Sequence, residues 1–288
     1  MHLLSYLSIG VALSSSLAAA HLRDHHKRYN TAPVKPTSCP TYTPTKPPST
    51  ETCRITGLPN SIDSAITYPS STILTTWATP PLDANWQVIL DKDINYDFPS
   101  VAVDNVKVYD IDLDSDQKVF DSWYSIPRPG WYLICYFSAG TSEEDRNDIN
   151  CFNKNRGAQD FGCNYGDNSP DENWLNTTSR EVRRVMLSRL DKAKERKCHA
   201  VDPDNMDGYS NGNGIGQTIV DSAEYMDFLI TEAHHRGLGI GLKNSEALAA
   251  NKSLTDRLDF AVVEECFTSL VEKDGKMVNS CDKVESIL

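Results

Sequence analysis

His199-Ala200-Val201-Asp202-Pro203-Asp204-Asn205 is the stretch on which the architecture turns. A short run suited to a buried strand passes directly into two carboxylates, and a helical pattern flanks it on either side. Upstream, Val182, Val185, Met186, Leu190 and Ala193 recur at helical spacing through residues 179–197. Thr178 with Glu181 three residues on predicts a capping-box start there. Downstream, Tyr225, Phe228, Leu229 and Ala233 form one stripe over residues 222–236, with Asp221 as the expected cap and Gly237 as the stop. Further out lie apolar runs at 86–90, 106–113, 131–138, 238–242 and 259–264. Strands alternating with helices predict βαβ units and a parallel sheet.

The ends of those runs choose between the parallel folds. Phe137 runs into Ser138-Ala139-Gly140, Leu242 into Lys243-Asn244, and Val263 into Glu264-Glu265. In β/α barrels the chemistry sits in loops after the strand C-termini, where these polar residues fall. No glycine-rich phosphate fingerprint follows the first strand, which makes a doubly wound nucleotide fold the weaker reading. The prediction is an α/β fold, a (β/α)8 TIM barrel, over residues 77–288.

The remainder of the chain reads as processing and linker sequence. Residues 1–20 form an apolar stretch ending in Ala18-Ala19-Ala20, the pattern of a secretory signal peptide, with a signal anchor as the alternative. Residues 21–28 close on Lys27-Arg28, either a pro-peptide cleavage pair or an ordinary solvated charge cluster. Residues 29–76 are rich in Pro, Ser and Thr and cannot bury enough apolar area to offset their ordering entropy. Eight cysteines in such a chain predict disulfides. The connectivity stays open, although Cys151 with Cys163 and Cys39 with Cys53 are close enough in sequence to pair. Sequons at Asn176 and Asn251 complete the expectation of a secreted, extracellular glycoprotein.

Lys plus Arg total 28 against 40 Asp plus Glu, a net charge of -12. That balance excludes nucleic acid as a partner, because phosphates need basic surfaces. No segment beyond the leader approaches eighteen apolar residues, so no membrane partner is expected after its removal. The chain is expected to act as a monomer.

Carboxylates dominate the candidate chemistry. Asp202, Asp204 and Asp207 crowd one loop, and Glu264 with Glu265 follows another strand-like run. Two carboxylates from different strand ends, facing a shared mouth, are what glycoside hydrolysis requires. Crowding also raises one pKa above the rest and supplies a proton donor. Residues 202–208 have a superficial likeness to a calcium-binding EF-hand loop, but Met206, Gly208 and Asn213 break the pattern. A calcium-binding adhesion module is therefore a lesser alternative. Lys243 either neutralises a neighbouring carboxylate or opens the next helix as a surface residue. His234 and His235 lack zinc-ligand spacing and are expected as partly exposed helix residues. No metal or other cofactor is implied.

Residues 77 to about 267 resemble glycoside hydrolase family 114, a family of secreted endo-α-1,4-polygalactosaminidases with a (β/α)8 barrel. The matching pieces, in order, include Trp86-Gln87, the segment from Val108 to Leu113, Cys135 to Gly140, and Glu143, Arg146 and Asp148. Glu172 with Trp174-Leu175, Pro203 to Tyr209, Gly237 to Asn244 and Asp259 to Cys266 complete them. The resemblance implies hydrolysis of α-linked galactosamine, N-acetylgalactosamine or α-galactosyl polysaccharide. It implies Asp204 and Glu264 as the catalytic pair. It places Asp112, Tyr136, Asp202, Asn205, Asp207, Lys243, Asn244 and Glu265 along the substrate cleft. A cationic galactosamine polymer suits the acidic net charge. The sequence departs from the family pattern at Asp202, where Glu is usual, and at Val263, where Asn is usual. Family members also continue past the Glu-Glu-Cys segment into further strands, whereas only 22 residues follow Cys266 here. Six strand signals where eight are needed predict a barrel incomplete at its C-terminus. A catalytically impaired carbohydrate-binding barrel is the alternative function.

Overall fold

The structure is a computed structural model that describes residues 5–8, 76–90, 97–98, 102–125, 127–152, 155–159, 172–264, 270–273 and 276–279. The expected pro-peptide, nearly all of the leader and linker, and Glu265 lie outside those residues.

In chain order the strands are β1 (Ser5–Ser8), β2 (Asn85–Ile89), β3 (Val106–Asp112) and β4 (Tyr132–Ser138), then β5 (Thr141–Glu143), β6 (Arg156–Gln159) and β7 (Glu172–Leu175). They continue with β8 (Ala200–Asp204), β9 (Gly239–Lys243), β10 (Phe260–Val263), β11 (Leu270–Lys273) and β12 (Lys276–Asn279). The main sheet has the order β1-β10-β9-β8-β4-β3-β2, and every recorded pairing within it is parallel. Its six strands from β2 to β10 curl into an open half-barrel, the incomplete (β/α) barrel that the sequence predicts. Strands β5, β7 and β6 form a separate antiparallel sheet after β4, and β11 pairs with β12 as a hairpin.

All six expected apolar runs are strands, but β8 reaches Asp204, three residues beyond the apolar segment. Pro203 reads as a breaker because it cannot donate to a ladder. It is tolerated because the recorded β8–β9 pairing, Ala200 with Gly239 and Val201 with Ile240, stops before it, leaving β4 as the one partner recorded for this end. The extension matters, since it puts Asp204 at a strand terminus.

Helices cover the outer face. They are α1 (Gln117–Ser125), α2 (Arg180–Glu195), α3 (Ile219–His235) and two single turns, α4 (Glu246–Ala249) and α5 (Lys252–Thr255). Two start positions correct the sequence reading. The N-cap of α2 is Ser179, whose hydroxyl accepts from Glu181 N, rather than Thr178. Helix α3 begins three residues before the expected start, with Thr218 as its cap and Asp221 as the reciprocal partner in a capping box. Ile219 and Val220, 43% and 61% exposed, belong to no apolar stripe and hide that first turn from a periodicity argument.

Side chains alternate across the sheet as the two-residue strand period requires. Tyr109, Ile111, Leu133, Cys135, Val201, Ile240 and Leu242 face outward into one core with Val182, Met186, Leu190, Tyr225, Leu229 and Ala233 of the helices. Burying each large aliphatic chain contributes roughly 1.5–3 kcal/mol. Val108, Tyr132, Ile134, Ala200, Phe260 and Val262 face inward and fill the barrel. A Cβ at Gly241 would stand 2.2 Å from the Phe260 ring, so glycine there gives the ring its place. A disulfide joins Cys135 of β4 to Cys198 before β8. Cys151 is also disulfide-bonded, but Cys163, Cys39 and Cys53 lie outside the described residues. His234 is not partly exposed as expected: it is 9% exposed and stacks on Trp77, with its ring against Asp259.

Candidate active site

Inward-facing positions nearest the strand C-termini collect the polar side chains. Asp112 on β3, Tyr136 and Ser138 on β4, Asp202 and Asp204 on β8 and Lys243 on β9 share the barrel-facing parity. Glu264 follows β10 directly. Strand period thus converts residues scattered over about 150 positions into one polar lining.

Asp204 is held by the loop that follows β4. Its carbonyl accepts from Ala139 N at 2.9 Å and Gly140 N at 3.1 Å. A Cβ at Gly140 would fall 1.6 Å from the Asn205 carbonyl oxygen, so only glycine admits this approach. Asn205 adopts a left-handed φ of 59°, a conformation that asparagine tolerates well. Its backbone N–H donates to Asp204 Oδ1 at 2.8 Å. Its side-chain amide donates to Ser138 Oγ and Thr141 Oγ1 at 2.9 and 3.0 Å. The Ser-Ala-Gly and Asp-Asn segments therefore lock one another.

Lys243 joins the two candidate catalytic carboxylates. Its Nζ donates to Asp204 Oδ2 at 3.1 Å and lies 3.2 Å from Glu264 Oε1. Tyr136 also donates its hydroxyl to Asp204 Oδ2, at 3.0 Å. The Lys243 ammonium lies 5.2 Å from the centroid of the Tyr136 ring. Lys243 is 2% exposed; burial alone would lower its pKa, but Asp204, Asp202 and Glu264 outweigh that and push it up. Burial, reinforced by Asp204, drives the Tyr136 hydroxyl well above its usual value and keeps it a donor. Glu264 is bracketed by Asn244, whose Oδ1 accepts from Glu264 N at 3.0 Å and whose amide donates to Glu264 Oε2 at 3.3 Å. The Glu264 side chain is 53% exposed, against 14% for Asp204.

Other expected cleft residues are placed differently. Asp112 is fully buried, and both its oxygens accept from Arg146, at 2.7 and 2.8 Å. Arg146 also reaches Glu143 at 2.6 Å, so Asp112 anchors the post-β4 loop. Asp202 is 1% exposed and sits one inward position deeper than Asp204, against Asp110 of β3. Asp207 stands at the mouth, where Asn211 donates to it at 3.1 Å and burial raises its pKa. The three aspartates of the EF-hand-like loop thus have separate partners. Among the described residues no group of three His, Cys, Asp or Glu side chains is placed to hold a metal.

Two carboxyls belong to the site without having been singled out from sequence. Glu172, at the start of β7, accepts from Thr141 Oγ1 at 2.7 Å. Thr141 in turn accepts from Asn205, which links Glu172 to Asp204 through two residues. Burial, less the Thr141 hydrogen bond and reinforced by Glu143 and Asp204, raises its pKa to about 7. Glu172 is part of the family-like Glu172…Trp174-Leu175 piece, but nothing in the sequence gives it a role, because an antiparallel flap delivers it to the site. Asp110 did carry a signal, being the inward residue before Asp112 on the same alternating strand.

The model of glycoside-hydrolase family GH114 matches residues 68–287. A crystal structure of Aspergillus fumigatus Ega3 in complex with galactosamine is 36% identical over 74% of this chain and 75% of that one, with a TM-score of 0.61. The glycoside hydrolase domain of PelA from Pseudomonas aeruginosa is 11% identical over 70% and 76% of the two chains, with a TM-score of 0.48. No curated protein sequence matches the chain.

Proposed function

The chain belongs to glycoside-hydrolase family GH114, and from that premise we propose that it is a secreted hydrolase of α-linked galactosamine-containing polysaccharide, with Asp204 and Glu264 as its catalytic pair. The observation that carries the proposal is the shared Lys243 ammonium, which brings carboxylates from β8 and the end of β10 to one point. The bridged oxygens lie 3.1 and 3.2 Å from the same nitrogen, so these two nearest oxygens are at most about 6.3 Å apart. Oxygens bridged by one ammonium are compatible with the about 5–5.5 Å carboxyl separation of retaining enzymes, and the roles below are proposed for that reaction.

Roles follow from the surroundings. Asp204 accepts from Tyr136, Lys243 and the Asn205 backbone, which supports it as the carboxylate that attacks the anomeric carbon. Half-exposed Glu264 opens to the cleft mouth, where the leaving oxygen departs, which suits it to protonate that oxygen. In the second step it removes a proton from the water that displaces Asp204. Lys243 balances the charge that moves between them. The substrate class is supported by the galactosamine bound to the Aspergillus fumigatus protein and by the net charge of -12, which suits a cationic polymer.

The test is release of oligosaccharides from a partly deacetylated α-1,4-galactosamine polymer. Asp204→Asn and Glu264→Gln are each expected to lower kcat by about a thousandfold or more, beyond any loss of folded protein read from the melt. Normal release by both variants would end the assignment. Retention of polymer without any product would leave a carbohydrate-binding barrel.

A further inference from the structure

Two inward carboxyls have no part in the bond cleavage described above. Asp110 of β3 and Asp202 of β8 are each 1% exposed, and all four of their oxygens are buried. Among the described residues no backbone N–H, amide, hydroxyl or ammonium donates to any of those oxygens. Among the described residues they hydrogen-bond with each other alone. The charged groups around them are Asp204 on the same strand, Lys243 on β9 and Glu264 after β10. Between the two strands, β4 contributes Ile134 and the Tyr136 hydroxyl, which is already donated to Asp204.

A hydrogen bond between two carboxyls needs a proton on one of them. Two adjacent carboxylates without donors would repel each other in a medium where even one buried ion costs several kcal/mol. One proton between them removes the repulsion and leaves a single negative charge. Burial and then Asp202 push Asp110 well up; burial also raises Asp202, and Lys243 restrains both. Asp202 stands on β8, next to the β9 strand that carries Lys243, whereas Asp110 stands on β3 beyond β4, so the charge belongs on Asp202 beside the lysine and the proton on Asp110.

We propose that Asp110 and Asp202 share one proton and act as a buried monoanion that holds the Lys243 ammonium between Asp204 and Glu264, so that both are positioning residues for the reaction. The positioning half rests on the hydrolase reading, whereas the shared proton does not. The two carboxyls are unequal: Asp110 supplies a hydrogen-bond donor, which an amide replaces, and Asp202 supplies charge, which an amide removes.

The test has two arms. In infrared spectra of the full chain at pH 8, the wild type is expected to show a protonated-carboxyl stretch that Asp110→Asn abolishes and Asp202→Asn retains. Absence of that band from the wild type, or its survival in Asp110→Asn, overturns the shared proton. In kinetics on the galactosamine polymer, Asp202→Asn is expected to lower kcat about thirtyfold with KM changed less than about threefold. Asp110→Asn should lower kcat only about threefold, and Asp202→Glu, which keeps the charge, should recover most of the Asp202→Asn loss. Equal losses in the two Asn variants, or no recovery with Glu, overturn the positioning role. A wild-type chain that cleaves no polymer refutes the hydrolase reading and with it the positioning role, while the infrared arm still decides the proton.

Discussion

Lys243 is the residue on which the site's electrostatics depend. It is the cation that bridges Asp204 and Glu264, and it is almost wholly buried. Lys243→Met keeps the apolar stem but leaves carboxylates facing one another without a counter-charge. Removing one partner of a buried pair typically destabilises by about 3–5 kcal/mol, because the remaining charge is uncompensated. A urea melt is expected to show a loss of that order, and kcat should fall at least about a hundredfold. A melt and a rate that both match the wild type would mean that the bridge is absent in solution. Most residues of this site are legible as strand-end polar groups. Their ranking is not: Asp112 and Asp202 look as available as Asp204 in the sequence, yet Arg146 and Asp110 occupy them.

At the scale of elements, strands and long helices follow from pattern, whereas caps and insertions do not. Thr177-Thr178-Ser179 offers three adjacent hydroxyls, and only the backbone turn selects Ser179. For α3 the Thr218–Asp221 capping box is reciprocal. Thr218→Ala is expected to destabilise by about 1 kcal/mol, read as a lower melting temperature, with catalysis unchanged. The antiparallel flap of β5, β7 and β6 escapes a periodicity reading because its strands have only three or four residues. The disulfide escapes as well, since spacing leaves the pairing of eight cysteines open. Joining Cys135 to Cys198 closes a loop of 63 residues, for which chain entropy gives about 4 kcal/mol. Replacing both cysteines by Ala should lower the denaturant midpoint accordingly. An unchanged midpoint would mean that the sheet order alone holds β4 beside β8.

The whole molecule stores protons in its acidic interior. Glu172 is raised to about 7, Asp202 to about 6 and Asp110 well above its usual value, each chiefly by burial. Folded-state values above the unfolded ones mean that the native state binds protons more tightly than the unfolded chain. The resulting contribution to stability is full below the unfolded values near 4 and is lost as pH rises through about 6–7. The chain is therefore expected to melt at a higher temperature at pH 5 than at pH 8, by an amount on the order of 2 kcal/mol for Glu172. Glu172→Gln should flatten the curve by that share; an unaltered pH profile in that variant would place Glu172 in water rather than in the wall of the cleft.

The amino-acid order by itself determined the parallel β/α plan, the inward parity of the polar residues and the strand ends that carry Asp204 and Glu264. Those features depend on periodicity and on neighbours in the chain. Only the tertiary structure decided that Lys243 bridges the two carboxylates, that Asp110 meets Asp202, and that a flap brings Glu172 near Asp204. Such contacts depend on how strands far apart in sequence are staggered when the sheet curls, and local pattern carries no record of that stagger.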